Sequence, residues 1–153
     1  MSTNVSLGLL LIRLPMGAIF VLHGWKKVMG DAGFKDFADY LEHLGVPAPL
    51  ASAFLAVGAE VGGGAVLILG LGALSRIAGL LLAFTMGVAI YAHWGNGFLN
   101  PLEVSEAGAI RFGYEYNVAL LGMALCIIFT GPGRFGLWCG GRSGGGGSSG
   151  AAD

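Results

Sequence analysis

Six ionisable side chains interrupt long apolar stretches of the sequence, and they are the residues best suited to chemistry. They are Arg13, His23, Lys27, Glu60, His93 and Glu115. A charged group at membrane depth costs at least roughly 2.5–3.5 kcal/mol on insertion scales, so such residues normally face a bundle interior and often mark an ion, proton or substrate site. Histidine exchanges protons near neutral pH, and a carboxylate can relay them. The set therefore indicates proton transfer and hydrogen bonding to a polar ligand.

The stretches that carry these residues indicate an integral membrane protein. Hydrophobic residues make up 55% of the 153-residue chain and charged residues 11%, with a mean hydropathy of +0.76. Soluble domains contain about 25% charged residues. At ~20 residues per span the chain has room for about four spans. We therefore predict an all-α fold, an integral membrane four-helix bundle in contact with the lipid bilayer.

The predicted spans cover residues 7–29, 50–71, 76–94 and 114–130. Between the first two, apolar residues recur at helical spacing with charged residues among them, which predicts a short amphipathic helix at the membrane interface. These apolar residues are Phe34, Phe37, Leu41 and Leu44. The membrane domain is predicted over residues 1–138, followed by a disordered glycine- and serine-rich tail over residues 139–153.

Depth along the helices indicates which ionisable groups can meet. At a rise of ~1.5 Å per residue, Arg13 and Glu60 differ by only about 6 Å in height, so we predict an Arg13–Glu60 pair. The remaining groups fall within about one or two turns of the opposite membrane face and are expected to cluster at the mouth of a cavity. This second group consists of His23, Lys27, His93 and Glu115.

Structural explanations compete with this interpretation. Lys26 and Lys27 at a helix end can extend to the lipid headgroups, and Glu115 in a first helical turn can complement the helix dipole. A buried Arg13–Glu60 pair can also serve the fold alone.

Several other functions have no support in the sequence. The spacing of histidines and carboxylates matches no preformed metal site on one helix, so no metal is predicted. Cys126 and Cys139 lack CxxC spacing, and no haem attachment motif is present. The formal charge of −1 and the absence of a nucleic-acid motif speak against a nucleic-acid partner.

Four segments of the sequence carry a resemblance to a known family. They read LLIRLPMGAIFVLHGWKKVMG, GVPAPLASAFLAVGAEVGGGAVLILGL and SRIAGLLLAFTMGVAIYAHW, followed by YEYNVALLGMALCIIFTGPGRF. Together they resemble the DoxX family of small four-helix membrane proteins over roughly residues 7 to 138. The family takes its name from a membrane subunit of thiosulfate:quinone oxidoreductase, and its members are generally described as quinone-linked or redox-partner membrane proteins.

The resemblance implies a quinone as ligand, a bacterial inner membrane as location and cytoplasmic termini. It further implies that the chain is a quinone-linked oxidoreductase subunit, and we expect a redox partner protein to supply the electrons because no residue here transfers them unaided. The catalytic candidates that donate or relay protons are Glu60, His23, His93 and Glu115. The ligand-binding candidates are Arg13, His23, Lys27, Glu60 and His93. A non-catalytic membrane anchor for a soluble redox enzyme, a small-solute carrier and a homo-oligomer remain alternatives.

Overall fold

In a computed structural model of the chain, α-helices dominate the described residues, which are 2–30, 33–99, 103–104, 110–111 and 113–137. The helices are α1 Thr3–Met29, α2 Gly33–His43, α3 Pro49–Leu69, α4 Leu74–His93 and α5 Glu115–Thr130, with a 3-10 turn at Trp94–Asn96. The connection before α5 contains two short antiparallel strands, β1 Glu103–Val104 and β2 Ile110–Arg111, with Glu103 opposite Arg111. The predicted all-α membrane bundle is confirmed. The predicted tail over residues 139–153 lies outside the described residues.

Three of these helices, α1, α3 and α4, are long and apolar enough to cross a membrane. The fourth predicted span corresponds to α5, which is apolar but has only 16 residues. At a rise of ~1.5 Å per residue α5 is about 24 Å long, against a hydrocarbon core of about 30 Å. In the described part of the chain, α5 is thus an apolar helix below the usual spanning length.

The interior is built by a close approach of α1 and α3. A Cβ placed on Gly17 would lie 2.6 Å from the carbonyl oxygen of Gly64, and one on Gly64 would lie 2.7 Å from the carbonyl oxygen of Gly17. Small residues of this kind let two membrane helices approach at backbone distance. Helices α4 and α5 complete the bundle around a core that includes Met16, Phe20 and Leu67.

Helix α2 is amphipathic, as predicted. Its buried residues Ala38 and Leu41 pack against Ala53 of α3, and the ring of Phe34 lies 4.3 Å from that of Phe54. The opposite face of α2 carries exposed charged residues. Because only one face is apolar, α2 lies along the outside of α3 and covers one end of the α1–α3 pair.

The segment after α5 returns to the end of α3. The backbone N–H of Leu137 donates to the carbonyl oxygen of Leu69 at 3.0 Å. A Cβ on Gly133 would lie 3.3 Å from the Cα of Ser6, so the same segment also contacts the start of α1. This return covers the last turn of α3, whose carbonyl groups have no partner within the helix.

Candidate functional site

One stripe of α1 positions Arg13 and Lys27. The buried residues of α1 recur at intervals of three or four and face the bundle: Ser6, Leu9, Arg13, Met16, Gly17, Phe20 and Gly24. Lys27 is the next position on this stripe. Arg13 and Lys27 therefore point to the same side of the helix, about 21 Å apart along its axis at a rise of ~1.5 Å per residue.

Arg13 lies at the end of α3 and is 2% exposed. Its Nη2 donates a hydrogen bond to the carbonyl oxygen of Phe135, in the segment after α5. The guanidinium packs against the backbone of Gly70 at the C-cap of α3 and lies beside Gly136. A cation is stabilised at this end of a helix because the unsatisfied carbonyls carry partial negative charge. Arg13 thus joins α1, the end of α3 and the C-terminal segment.

Lys27 and Glu60 form the ion pair in the other half of the bundle. Nζ of Lys27 lies 2.5 Å from Oε1 of Glu60, and the side chains are 25% and 3% exposed. The same Nζ lies 4.4 Å from the centre of the Phe37 ring, a cation–π contact with α2. A Cβ on Gly24 would lie 3.1 Å from the Cβ of Glu60, so the backbone of α1 passes directly beside the carboxylate. The pair connects α1, α2 and α3.

The predicted Arg13–Glu60 pair is wrong. The guanidinium of Arg13 lies at Gly70, ten residues beyond Glu60 and therefore about 15 Å further along α3. The physical reason is that side chains lean toward the N-terminus of their own helix. Arg13 leans away from Glu60 for this reason, whereas Lys27 and Glu60, on antiparallel helices, lean toward each other.

Two buried carboxylate oxygens have no hydrogen-bond partner among the described residues. They are Oε2 of Glu60 and Oε2 of Glu115. Leaving a buried polar group without a hydrogen bond costs about 1–3 kcal/mol, and more if it is charged. Such an oxygen next to a buried ion pair is a place where a proton or a donor from a ligand is stabilising.

The two histidines have contacts of their own. His23 is exposed, and its ring centre lies 6.4 Å from that of Tyr116 on α5, with the planes 29° apart. Nδ1 of His93 lies 2.8 Å from the carbonyl oxygen of Ala89 in its own helix, which leaves Nε2 as the ring nitrogen available to a ligand. Among the described residues, no hydrogen bond or ion pair links either histidine to Glu60 or Glu115.

Glu115 lies where α5 begins, held by contacts to the segment that follows α4. Its backbone N–H donates to the carbonyl oxygen of Phe98, and that of Tyr114 donates to Gly97, both at 3.3 Å. The rings of Trp94 and Tyr114 are stacked with their centres 5.3 Å apart. Within residues 2–30, 33–99 and 113–137, no three His, Cys, Asp or Glu side chains are grouped closely enough to hold a metal ion.

The structure joins Lys27, a member of the predicted cluster, to Glu60, the predicted partner of Arg13. Glu115 and His93 lie at the α4–α5 connection. Tyr116, whose ring lies beside that of His23, is not among the site residues predicted from the sequence. Its signal is weak, since a tyrosine in the first turn of an apolar helix is also typical of the aromatic belt at a membrane surface.

Comparison with known proteins identifies the family. The DoxX family model matches residues 8–94, more than half of the chain. The chain belongs to the DoxX family. The matched range contains Arg13, His23, Lys27, Glu60 and His93 and stops before α5.

Two relatives in Escherichia coli (strain K12) support this assignment. The inner membrane protein YphA is 30% identical over 132 residues, which cover 84% of this chain and 86% of YphA. The inner membrane protein YqjF is 30% identical over 130 residues, covering 85% of this chain and 88% of YqjF. No solved structure matches the chain. With three helices of spanning length, this DoxX-family chain is a multi-pass inner-membrane protein.

Proposed function

We propose that this DoxX-family protein is a quinone-linked subunit of an inner-membrane oxidoreductase and that its Lys27–Glu60 pair binds the quinone headgroup. The observation that carries the proposal is the burial and hydrogen bonding of Glu60. Its side chain is 3% exposed in the middle of an apolar helix, one oxygen is paired with Lys27, and the other has no hydrogen-bond partner among the described residues. Ionisable groups at membrane depth are rare and mark functional sites by default.

The chemistry of the pair suits a quinone. A bound quinone supplies two-electron redox chemistry that takes up or releases two protons. Its carbonyl oxygens accept hydrogen bonds, and Lys27 has three N–H donors, of which one is directed at Glu60. Glu60 in its acid form is a donor through Oε2, which otherwise lacks a partner.

The two residues of the pair also differ in their access to water. The Glu60 side chain is 3% exposed and has little access to water, while Lys27 is 25% exposed and reaches the surface on which α2 lies. A proton can therefore pass between water and Glu60 along Lys27. In this proposal Arg13 holds the bundle together at the other end, and the electrons come from a partner protein.

The proposal includes the membrane arrangement expected from the sequence. Four spans with cytoplasmic termini require α5 to cross the membrane together with the segments that flank it. This arrangement is supported by the packing of α5 along α4 and against α1. Helix α5 therefore belongs to the same bundle as the three helices of spanning length.

A second candidate function, a non-catalytic anchor for a soluble redox enzyme, is favoured by one observation. Lys27 contacts Glu60 of α3 and Phe37 of α2 at once. The ion pair can thus be explained by the assembly of three helices alone, since breaking a buried pair is strongly destabilising. The two candidates differ in whether a ligand binds at the pair.

The test is quinone binding by the purified protein in lipid nanodiscs, followed by quenching of tryptophan fluorescence. We expect Glu60→Gln and Lys27→Met to weaken binding of a soluble ubiquinone analogue tenfold or more, because lost bonds to buried polar groups cost about 1–3 kcal/mol. The matched control is Lys26→Ala, at an exposed position next to Lys27, which should bind like the parent.

His23→Ala and His93→Ala, with both histidines outside the ion pair, separate contact residues from bystanders in the same assay. A thermal unfolding scan of every variant identifies those that no longer fold. If folded Glu60→Gln protein binds the analogue as the parent does, the anchor function is the better explanation.

A further inference from the structure

We infer that the seam between α1 and α5 is a lateral entrance through which a lipid-soluble quinone reaches the Lys27–Glu60 pair, with His23 and Tyr116 as its gate. This inference rests on the proposed function and adds the route and two recognition residues. Here "the seam" means the contact line between α1 and α5 near His23 and Tyr116.

The seam is a small contact compared with the other contacts between neighbouring long helices of the bundle. Helix α1 packs along α3, α3 along α4 and α4 along α5, all extensively, whereas α1 and α5 meet over a much smaller contact. Regions with few packed contacts open at the lowest free-energy cost. Separation of α1 from α5 is therefore the easiest way for this bundle to admit a molecule from the side.

Two polar aromatic side chains lie on the outer surface of the seam. His23 is exposed and Tyr116 is 45% exposed, and their rings are within 29° of parallel with centres 6.4 Å apart. Rings in this arrangement offer π faces to a planar headgroup, and the tyrosine O–H and the imidazole N–H can donate hydrogen bonds to its carbonyl oxygens. The seam thus has the hydrogen-bond donors and the flat surfaces that a quinone ring needs.

Helix α1 connects the seam to the buried carboxylate. His23 is followed by Gly24, whose backbone packs directly beside Glu60. Lys27 lies one helical turn beyond His23 on nearly the same face of α1, and it ends on Glu60. A headgroup that passes His23 is therefore next to the pair, without having to cross the apolar core.

The surface beside the seam is apolar. Leu22, which precedes His23 in α1, is 66% exposed, so an apolar tail has a hydrophobic side chain to lie against. The tail can remain in the lipid while the ring enters. Lys27 is also partly exposed at the membrane surface. We therefore expect a tail-less quinone to reach the pair from the membrane surface as well, whereas a long-tailed quinone enters from the lipid through the seam.

The test is to fasten the seam and follow quinone entry. In a cysteine-free background, with Cys126→Ala and Cys139→Ala, His23→Cys and Tyr116→Cys are joined by a short bifunctional thiol reagent that is cleavable by reductant. We expect cross-linking to slow binding of a decyl-tailed ubiquinone analogue in nanodiscs at least tenfold, to slow the tail-less analogue less than twofold, and to be reversed by the reductant. The uncross-linked form of the same variant corrects for the loss of the two side chains.

The matched control fastens the other side of the bundle. Phe34→Cys on α2 and Phe54→Cys on α3 replace two rings whose centres lie 4.3 Å apart. Cross-linking these two cysteines with the same reagent ties α2 to α3 and leaves the seam unchanged. This cross-link should not change entry of the decyl-tailed analogue.

Equal entry rates before and after cross-linking of the seam would overturn the inference, and so would slowing only by the α2–α3 cross-link, which would place the entrance beneath α2. If the parent protein binds neither analogue, the proposed function itself fails, and the entrance fails with it. If the parent binds both and only the gate experiment fails, the proposed function stands.

Discussion

The Lys27–Glu60 pair gives the sharpest quantitative prediction because its two members are buried to different extents. The Glu60 side chain is 3% exposed and Lys27 is 25% exposed. Lys27→Met leaves a carboxylate in the bundle with no counter-charge, and breaking a buried pair in this way costs about 3–5 kcal/mol. Glu60→Met leaves a lysine that can turn its ammonium outward to water and headgroups, so its cost is about 1–2 kcal/mol, near the lower end for a hydrogen bond to a charged group.

The double variant should lose less stability than the sum of the losses in the two single variants. Methionine approximates the length of both side chains, and replacing a buried ion pair by apolar residues of similar volume is often neutral or stabilising. Independent effects would sum to about 4–7 kcal/mol, whereas we expect the Lys27→Met/Glu60→Met protein within about 1 kcal/mol of the parent. The predicted coupling energy is therefore at least about 3 kcal/mol.

The assay is reversible unfolding by SDS in mixed micelles, followed by circular dichroism, for the parent, both single variants and the double variant. The control is Lys26→Met, which removes a neighbouring exposed lysine and should leave the free energy of unfolding unchanged. Strictly additive losses would refute the reasoning, because they would mean that neither side chain responds to the other. A greater loss for Glu60→Met than for Lys27→Met would refute the burial argument even if the coupling were present.

Three further predictions follow from the packing of the bundle. Arg13→Met should release the segment after α5 from the end of α3, so limited proteolysis should trim that segment faster than in the parent, whereas unchanged cleavage would contradict its role as a tie. Gly17→Ala should destabilise the protein by about 1–3 kcal/mol in SDS unfolding because its Cβ would meet backbone on α3, while Gly58→Ala, at a position with open space, should cause no loss. Reporter tags at the two termini should report one compartment and a tag in the α2–α3 turn the other; opposite reports from the termini would exclude four spans.

The periodicity of α1 explains how much of the site could be predicted. Apolar and small residues at intervals of three or four fixed its inward stripe, and both Arg13 and Lys27 fall on it. The amphipathic pattern of α2 and the ends of α3, α4 and α5 could be predicted in the same way, from sequence period and glycine or proline positions.

The partners of the buried charges could not be predicted from depth alone. The height of a Cα ignores the lean of its side chain, and that lean decides that Glu60 meets Lys27. The acceptor for Arg13 is a backbone carbonyl in an irregular segment, and a carbonyl group has no sequence signature because every residue carries one. The contact between Tyr116 and His23 could not be predicted for a related reason, since it depends on how α5 packs against α1.

The hydrogen bond between Arg13 and Phe135 has a consequence for biosynthesis. Its two residues are 122 positions apart in the sequence, and the acceptor lies close to the end of the described chain. At ~5–20 residues per second, the ribosome needs roughly 6–24 s to make the acceptor after the arginine. During that time α1 is already available for membrane insertion, and its guanidinium must be accommodated by water, headgroups or the translocation machinery. Closure of the bundle at this end therefore follows the synthesis of α5, so nascent chains that stop before residue 135 should still lack the tie that the finished protein has.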